Sequence, residues 1–246
     1  MELWIYLLVA LGINIVLFIP AFIFKTDRLT DASYAITFIT LAIIALLTNP
    51  ITLPALVITS IIILWSLRLG VFLLIRIWNM KKDKRFDGMR EDFFRFLKFW
   101  VLQGLAVWVI MIPALLMISA DTEQIFWIGV LIWAIGLTIE TTADIQKYRF
   151  NQHSHGKFIQ SGLWKYSRHP NYFGEILCWV GIYVAGIGAL SLPSLALGLL
   201  SPVFIAVLLI FFTGIPPLEE YAEKKWGAEY KKYQKKTSPL IIWFRK

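Results

Sequence analysis

The stretch SGLWKYSRHPNYFGE, residues 161–175, leads directly into the apolar run ILCWVGIYVAGIGAL, residues 176–190. It gathers an arginine, a histidine, an asparagine and a tyrosine around Pro170 and ends on Glu175. Polar side chains beside a membrane segment are costly unless each has a partner. A polyanionic ligand at the membrane surface would supply such partners. The stretch therefore predicts a membrane-embedded enzyme whose cofactor lies against it.

The composition places the chain among polytopic membrane proteins. Of its 246 residues, 58% are hydrophobic and 16% are charged, and the mean hydropathy is +0.68. Soluble domains are about half apolar and a quarter charged. The one cysteine, Cys178, excludes an internal disulfide, and with only three histidines no metal site is expected. The net charge of +8 is typical of cytoplasmic loops and does not indicate nucleic-acid binding.

Apolar runs near the ~20 residues that cross a bilayer occur seven times. The first lacks the basic segment of a cleaved signal peptide, so we expect it to be retained as a span. Asn49-Pro50 predicts a tight turn between the second and the third. The fold class predicted is all-α, a polytopic integral membrane protein with about seven transmembrane helices. They cover Trp4–Phe24, Tyr34–Thr48, Thr52–Leu74, Phe93–Ile118, Ile125–Ala143, Tyr172–Leu190 and Leu192–Gly214.

The distribution of charge predicts the orientation of these spans. With the N-terminus outside, all 24 Lys and Arg residues fall on the cytoplasmic side or in a span close to it. The outside then keeps only Glu2, Asp121 and Glu123 among the charged residues. This separation follows the positive-inside rule and predicts an N-terminus outside and a cytoplasmic C-terminus.

Polar residues continue along one face at the end of predicted helix five. They are Glu140, Asp144, Lys147 and Asn151, at steps of four, three and four residues. A carboxylate inside a span points into the bundle or toward water, not toward lipid. The alternative is structural: Asp144 pairs with Lys147 or Arg149 and caps the helix end.

Predicted helix six starts after Pro170, and its first turn has features that suit phosphate. Its N-terminus offers free N–H groups and the positive end of a dipole, and Arg168 adds a fork of donors. Asn171 and Glu175 lie one turn apart, and Gly174 between them permits another backbone to approach closely. The alternative is an N-cap with an interfacial arginine.

Two arginines and several missing motifs complete the residue-level argument. Arg68 and Arg76 are eight residues apart on nearly one face of predicted helix three, and either snorkel to the membrane surface or serve function. The sequence has no Gly-x-Gly-x-x-Gly after a strand, no phosphate-binding P-loop and no His-Glu-x-x-His zinc helix. A nucleotide, if bound, is therefore expected to be held by the helix bundle itself.

The C-terminal part of the chain resembles the C-terminal domain of the steroid 5-alpha-reductase family, in particular its bacterial and largely uncharacterised branch. Sterol reductases and isoprenylcysteine methyltransferases share a looser version of the central block. On its residues alone, the tail is also typical of an interfacial amphipathic helix. The similar segments are RLGVFLLIR at 68–76, ADIQK at 143–147, GLWKYSRHPNYFGE at 162–175 and EEYAEKKWGAEYKKY at 219–233.

The resemblance implies a reductase of the bacterial inner membrane that binds NADPH on the cytoplasmic side. It would transfer hydride to an activated carbon–carbon double bond of a lipid or steroid-like enone taken from the bilayer. In the single membrane domain, 1–246, the N-terminal helices to residue 120 would lie on the lipid-substrate side. Residues 121–246 would form the reductase-like region with the cofactor site.

The resemblance also assigns site residues. By position, Asp144, Arg168, Asn171 and Glu175 match the cofactor motif, Tyr230 and Tyr233 match its tail, and Lys147, Arg149, His169 and Arg76 are expected to add contacts. The family's N-terminal Glu and Tyr, which orient and protonate a 3-oxo group, have no match, because the first two helices hold Tyr34 but no intramembrane carboxylate. We therefore expect Glu140 or Tyr172 to be catalytic.

Two other classes stay open at this stage. A membrane methyltransferase that uses S-adenosylmethionine shares the Arg-His-Pro core and would also bind an adenosine cofactor between helix ends. A transporter or lipid-binding protein is the alternative without catalysis. Against the latter, the polar residues collect at one membrane face, and no inverted repeat is evident.

Overall fold

The computed structural model describes residues 2–79, 86–154 and 156–243, without the side chains of residues 31 and 73–79. Within these ranges the protein is all-α, as predicted, and its one isolated bridge joins Ser167 to Ser238. The helices are α1 (Leu3–Ile23), α2 (Arg28–Leu47), α3 (Leu53–Asn79), α4 (Phe93–Ser119), α5 (Trp127–His153), a 3₁₀ turn (Gly162–Lys165), α6 (Pro170–Ala185), α7 (Leu192–Gly198), α8 (Leu200–Val207), a π turn (Leu208–Phe212) and α9 (Ile215–Lys236).

Six helical segments of the described chain are long and apolar enough to cross a membrane. They are α1, α2, α3, α4, α5 and the run Leu192–Lys236. The predicted span Tyr172–Leu190 corresponds to α6, which has 16 residues and is about 24 Å long. It ends at Ala185 because glycines follow, and Gly188 has a left-handed φ of 83°. The seven-span topology and its orientation stay predictions.

Two helices differ from their predicted limits in ways that matter for the site. Helix α5 continues ten residues past the predicted end at Ala143, so the polar stripe from Glu140 to Asn151 is helical throughout. The final predicted span is not one helix. Pro202 has no N–H to continue the ladder from α7 into α8, and the π turn then separates α8 from α9.

The chain forms two compact units. The first contains residues 1–125 and 186–201, and the second contains residues 126–185 and 202–246. In the first unit α1 and α4 run antiparallel: the Trp108 indole N–H donates to the Leu3 carbonyl at 2.9 Å, and Phe18 packs against Trp100 with ring centroids 6.4 Å apart.

The second unit is built on direct contact between the backbones of α5 and α6. A Cβ added to Gly174 would lie 2.6 Å from both the Glu140 nitrogen and the Gly136 oxygen. Two turns farther along α6, a Cβ on Gly181 would lie 2.5 Å from the Trp133 nitrogen. No real side chain fits at such distances, so glycine is required at these positions. The close approach predicted at Gly174 is confirmed.

Gly174→Val should therefore destabilise the protein. The valine side chain meets backbone atoms of α5, which cannot move aside as a flexible side chain would, so α5 and α6 must separate. We expect a loss of about 3 kcal/mol or more in the free energy of unfolding, measured as a fall in the thermal midpoint of the detergent-purified protein.

Gly12→Ala is the matched control, because a Cβ at Gly12 in α1 meets nothing within 4 Å. Alanine is also the better helix former, so the midpoint should hold or rise. Equal losses in the two variants would mean that the α5–α6 contact is not what holds the second unit together.

Candidate functional site

The α5–α6 contact places polar residues of the two helices side by side. Glu140 and Asp144 are buried, with 4% and 6% of their surface exposed. Asp144 accepts a hydrogen bond from Asn171, with Nδ2 3.2 Å from Oδ1. Glu140 lies opposite Gly174, because its backbone nitrogen is the atom that a Cβ on Gly174 would meet. The structure thus brings together three predicted site residues from two segments of the chain.

We call residues 161–175 the signature stretch. Its 3₁₀ turn is held against α5 by side-chain contacts. Gln146 accepts from the Leu163 nitrogen at 2.9 Å, and the Trp164 indole N–H donates to the Ala143 carbonyl at 3.0 Å. The Lys147 ammonium lies 4.9 Å from the centroid of the Trp164 ring, as a cation–π contact requires. These contacts determine where the chain enters α6.

Arg168 forms an ion pair with Glu219 of α9. Its Nε lies 2.6 Å from one carboxylate oxygen and its Nη2 3.1 Å from the other. Its Nη1 donates to the carbonyls of Gln234 and Thr237 at 3.0 and 2.7 Å. These hydrogen bonds use four of the five N–H groups of a guanidinium. The arginine thus bonds the signature stretch to both ends of α9.

His169 is buried against the same carboxylate. Its Nε2 lies 3.1 Å from Glu219 Oε1, and its ring stacks on Tyr172 with centroids 5.5 Å apart. Burial lowers the pKa of His169 below the ordinary value of 6.5 and outweighs the opposing pull of Glu219, so the ring is neutral at pH 7. Because a carboxylate only accepts, Nε2 carries the proton, and Nδ1 is left as an acceptor.

Two buried acceptor atoms mark the start of α6. His169 Nδ1 and Asn171 Oδ1 have no hydrogen-bond partner among the described residues. The Asn171 amide is oriented by its donor contact to Asp144, which leaves the oxygen on the other side. We call these two atoms the acceptor pair. Buried polar atoms without partners are rare in folded proteins, so each atom of the acceptor pair is a place for a hydrogen-bond donor of a ligand or a water molecule.

The tail tyrosines pack inside the second unit. Tyr230 and Tyr233 are buried with Phe158 and Trp226, and the Tyr233 hydroxyl donates to the Trp164 carbonyl at 2.5 Å. Gly227, with φ of 51° and ψ of −123°, interrupts α9. Tyr233 therefore holds the signature stretch through this hydrogen bond.

The other predicted site residues have varied surroundings. Tyr172, Glu175 and Lys147 are half-buried, and Arg149 is exposed. The side chain of Arg76 lies outside the described residues. Sequence reasoning assigned no role to Glu219, although it opens the quoted tail motif EEYAEKKWGAEYKKY. The available signal was that the resemblance places this acidic residue and Arg168 in two motifs of the same family.

Together the fold and the site define an all-α protein with helices suited to a membrane and a buried polar centre between α5 and α6. The family model described as "Protein of unknown function (DUF1295)" matches residues 17–237, and the chain belongs to this family. No curated protein and no solved structure matches it.

Glu219→Gln should weaken the second unit, since it leaves the Arg168 guanidinium without its counter-charge. Both side chains are slightly exposed, so we expect a loss of about 2 kcal/mol, below the range for fully buried pairs. The measurement is thermal unfolding in detergent. Glu220→Gln is the control, since Glu220 is exposed and its ion pair is with Lys224 one turn away; its midpoint should not change. Similar losses at both positions would contradict the role given to Glu219.

His169 should hold its proton on Nε2 and remain neutral at pH 7, because burial lowers its pKa below 6.5. In the unfolded chain its pKa returns to about 6.5, so below that pH the unfolded state takes up the proton first and stability falls. The measurement is ¹⁵N NMR of histidine-labelled protein, with His169→Gln to assign the signals. A protonated ring at pH 7, or a proton on Nδ1, would remove one member of the acceptor pair.

Proposed function

We propose that the protein is a membrane-embedded, NADPH-dependent reductase that transfers hydride to an activated carbon–carbon double bond of a lipid or steroid-like enone. The resemblance to the C-terminal domain of steroid 5-alpha-reductases motivates this choice, and the observation that carries it is the acceptor pair beside Asp144. Its atoms, on His169 and Asn171, accept hydrogen bonds and therefore suit a ligand with N–H or O–H groups. The nicotinamide riboside end of NADPH offers a carboxamide NH₂ and ribose hydroxyls.

The hydrogen-bond acceptors of the site match the donors at that end of the cofactor. Asp144, Glu175 and the acceptor pair all accept hydrogen bonds, and Asp144 is buried. Carboxylates would repel phosphate but suit hydroxyl and amide groups. In this proposal Asn171 and Asp144 hold the carboxamide or the ribose hydroxyls.

The phosphates would be held by cations farther along α5. Lys147 and Arg149 follow Asp144 by three and five residues, so positive charge succeeds the carboxylates along the helix. Arg168 already donates four hydrogen bonds within the protein. We therefore propose that Arg168 positions the tail and that its one remaining N–H donates to the cofactor.

Bound NADPH supplies the hydride. The chain's own contribution after that is a proton for the enolate of the reduced enone. Glu140 is our candidate donor, because it is buried one turn before Asp144 and lies opposite Gly174. Tyr172 is the second candidate, because its ring stacks on His169. The proposal includes seven spans with the N-terminus outside, which would put the cofactor at the cytoplasmic face of a bacterial inner membrane.

Titration of NADPH into the detergent-purified protein, followed by nicotinamide fluorescence, tests the proposal. We expect saturable binding that weakens with salt. Asn171→Ala should weaken the binding by about tenfold or more. The variant loses the amide oxygen that would accept from NADPH and the amide nitrogen that donates to Asp144. Asn151→Ala is the matched control: Asn151 is exposed on α5 and should bind as the wild type does.

Parallel titrations separate the alternatives. Binding of S-adenosylmethionine without NADPH would assign the chain to the methyltransferases, and binding of neither would favour a protein without catalysis. A lipid enone then tests the reaction itself, by loss of the NADPH absorbance in the presence of the wild type but not of Glu140→Gln. Turnover by Glu140→Gln at the wild-type rate would exclude Glu140 as the proton donor.

A further inference from the structure

The first unit contains a buried group of uncharged polar side chains on α1, α2 and α4. We call Asn14, Ser33, Thr37 and Gln103 the amide cluster. Asn14, Ser33 and Thr37 have no exposed surface, and Gln103 is half-buried. Each lies in a helix that is long and apolar enough to span a membrane, where polar groups are expensive unless satisfied.

The hydrogen bonds of the amide cluster fix both amide orientations. Asn14 Nδ2 donates to the Ala10 carbonyl at 2.8 Å, so its oxygen must face Gln103. Gln103 Nε2 lies 3.0 Å from the Thr30 carbonyl and 2.6 Å from Ser33 Oγ, so the nitrogen is on that side.

One acceptor is left over in the amide cluster. The Ser33 and Thr37 hydroxyls donate to helix carbonyls, at 2.8 and 2.7 Å. The Asn14 oxygen accepts from Gln103 at 3.2 Å. Among the described residues no donor contacts Gln103 Oε1. Gln103 is half-buried, so the unit does not enclose its side chain completely.

An unmatched donor lies one turn away. Trp100 precedes Gln103 by three residues on α4, has no exposed surface, and its Nε1 has no partner among the described residues. Both side chains face α1: Trp100 packs against Phe18, and Gln103 donates to Asn14. The next tryptophan of the helix, Trp108, has its N–H satisfied by the Leu3 carbonyl.

A donor and an acceptor one turn apart are complementary to a hydroxyl group, which needs one of each. A carbonyl would satisfy only Trp100, and a charged ammonium group, which has no acceptor, would satisfy only Gln103. Gln103 lies ten residues into α4, about 15 Å from its start, and Asn14 lies nine residues, about 13 Å, from the end of α1. A charged headgroup would be too costly at that depth, so the hydroxyl must belong to an otherwise apolar molecule.

We propose that the first unit binds a bilayer-soluble alcohol, whose hydroxyl donates to Gln103 Oε1 and accepts from Trp100 Nε1. The site lies entirely within the first unit and uses no residue of the α5–α6 centre. The proposal is therefore independent of NADPH binding and of the proposed reaction.

Indole ¹⁵N NMR of the detergent-solubilised full chain tests it with 1-dodecanol, dodecyl methyl ether and dodecane as probes. The Trp100 signal is identified by its absence in Trp100→Phe. We expect 1-dodecanol to shift this signal downfield and saturably. The ether, which accepts but cannot donate to Gln103, should bind about tenfold more weakly, and dodecane should leave the signal in place.

Two variants separate binding from folding. Trp100→Phe removes an unmatched buried donor, so its unfolding midpoint without probe should not fall, whereas the stabilisation that 1-dodecanol gives the wild type should be lost. Trp108→Phe is the matched control on the same helix and should keep that stabilisation. The proposal is overturned if the three probes act alike, or if 1-dodecanol stabilises Trp100→Phe as it stabilises the wild type. It is also overturned if the Trp100 signal does not respond to 1-dodecanol, which is the result expected when an internal water binds the indole N–H.

Discussion

The backbones of α5 and α6 touch at two levels, where Gly136 faces Gly174 and Gly129 faces Gly181. Seven residues separate the two glycines on each helix, which is two turns, so both contacts lie on one face. Because the hydrophobic effect does little between helices inside a membrane, such close packing is what can hold them. The polar centre depends on it, since the contact brings residues near 140 and residues near 171 within hydrogen-bonding distance.

The second requirement of the site is the ion pair of Arg168 with Glu219. The arginine stands in the most distinctive part of the sequence, and an arginine beside a helix N-terminus is an obvious phosphate ligand. In the fold most of its donors are directed at α9. Glu219 also contacts His169 and Gln234, so one carboxylate orders the signature stretch and the tail together.

Much of the architecture could be predicted from the sequence, because apolar length and helical spacing are local properties. The polar stripe from Glu140 to Asn151 followed from helical spacing, and the close approach at Gly174 followed from the absence of a side chain on glycine. The length of α6 and the division of the last span did not, because they depend on glycines, Pro202 and a π turn within runs that are apolar throughout. The partners of Arg168 were out of reach for another reason: Glu219 lies 51 residues away, and residue type alone does not distinguish a carboxylate partner from a phosphate.

The bridge between Ser167 and Ser238 has a consequence for biosynthesis. The Arg168 nitrogen donates to the Ser238 carbonyl at 2.8 Å, and the Ser167 hydroxyl donates to the Leu240 carbonyl at 2.6 Å. Leu240 lies 73 residues after Ser167 in the sequence, so this contact cannot form until the helices from α6 to α9 have been translated. The signature stretch can therefore take its final position only after the apolar helices between Ser167 and Ser238 have been made.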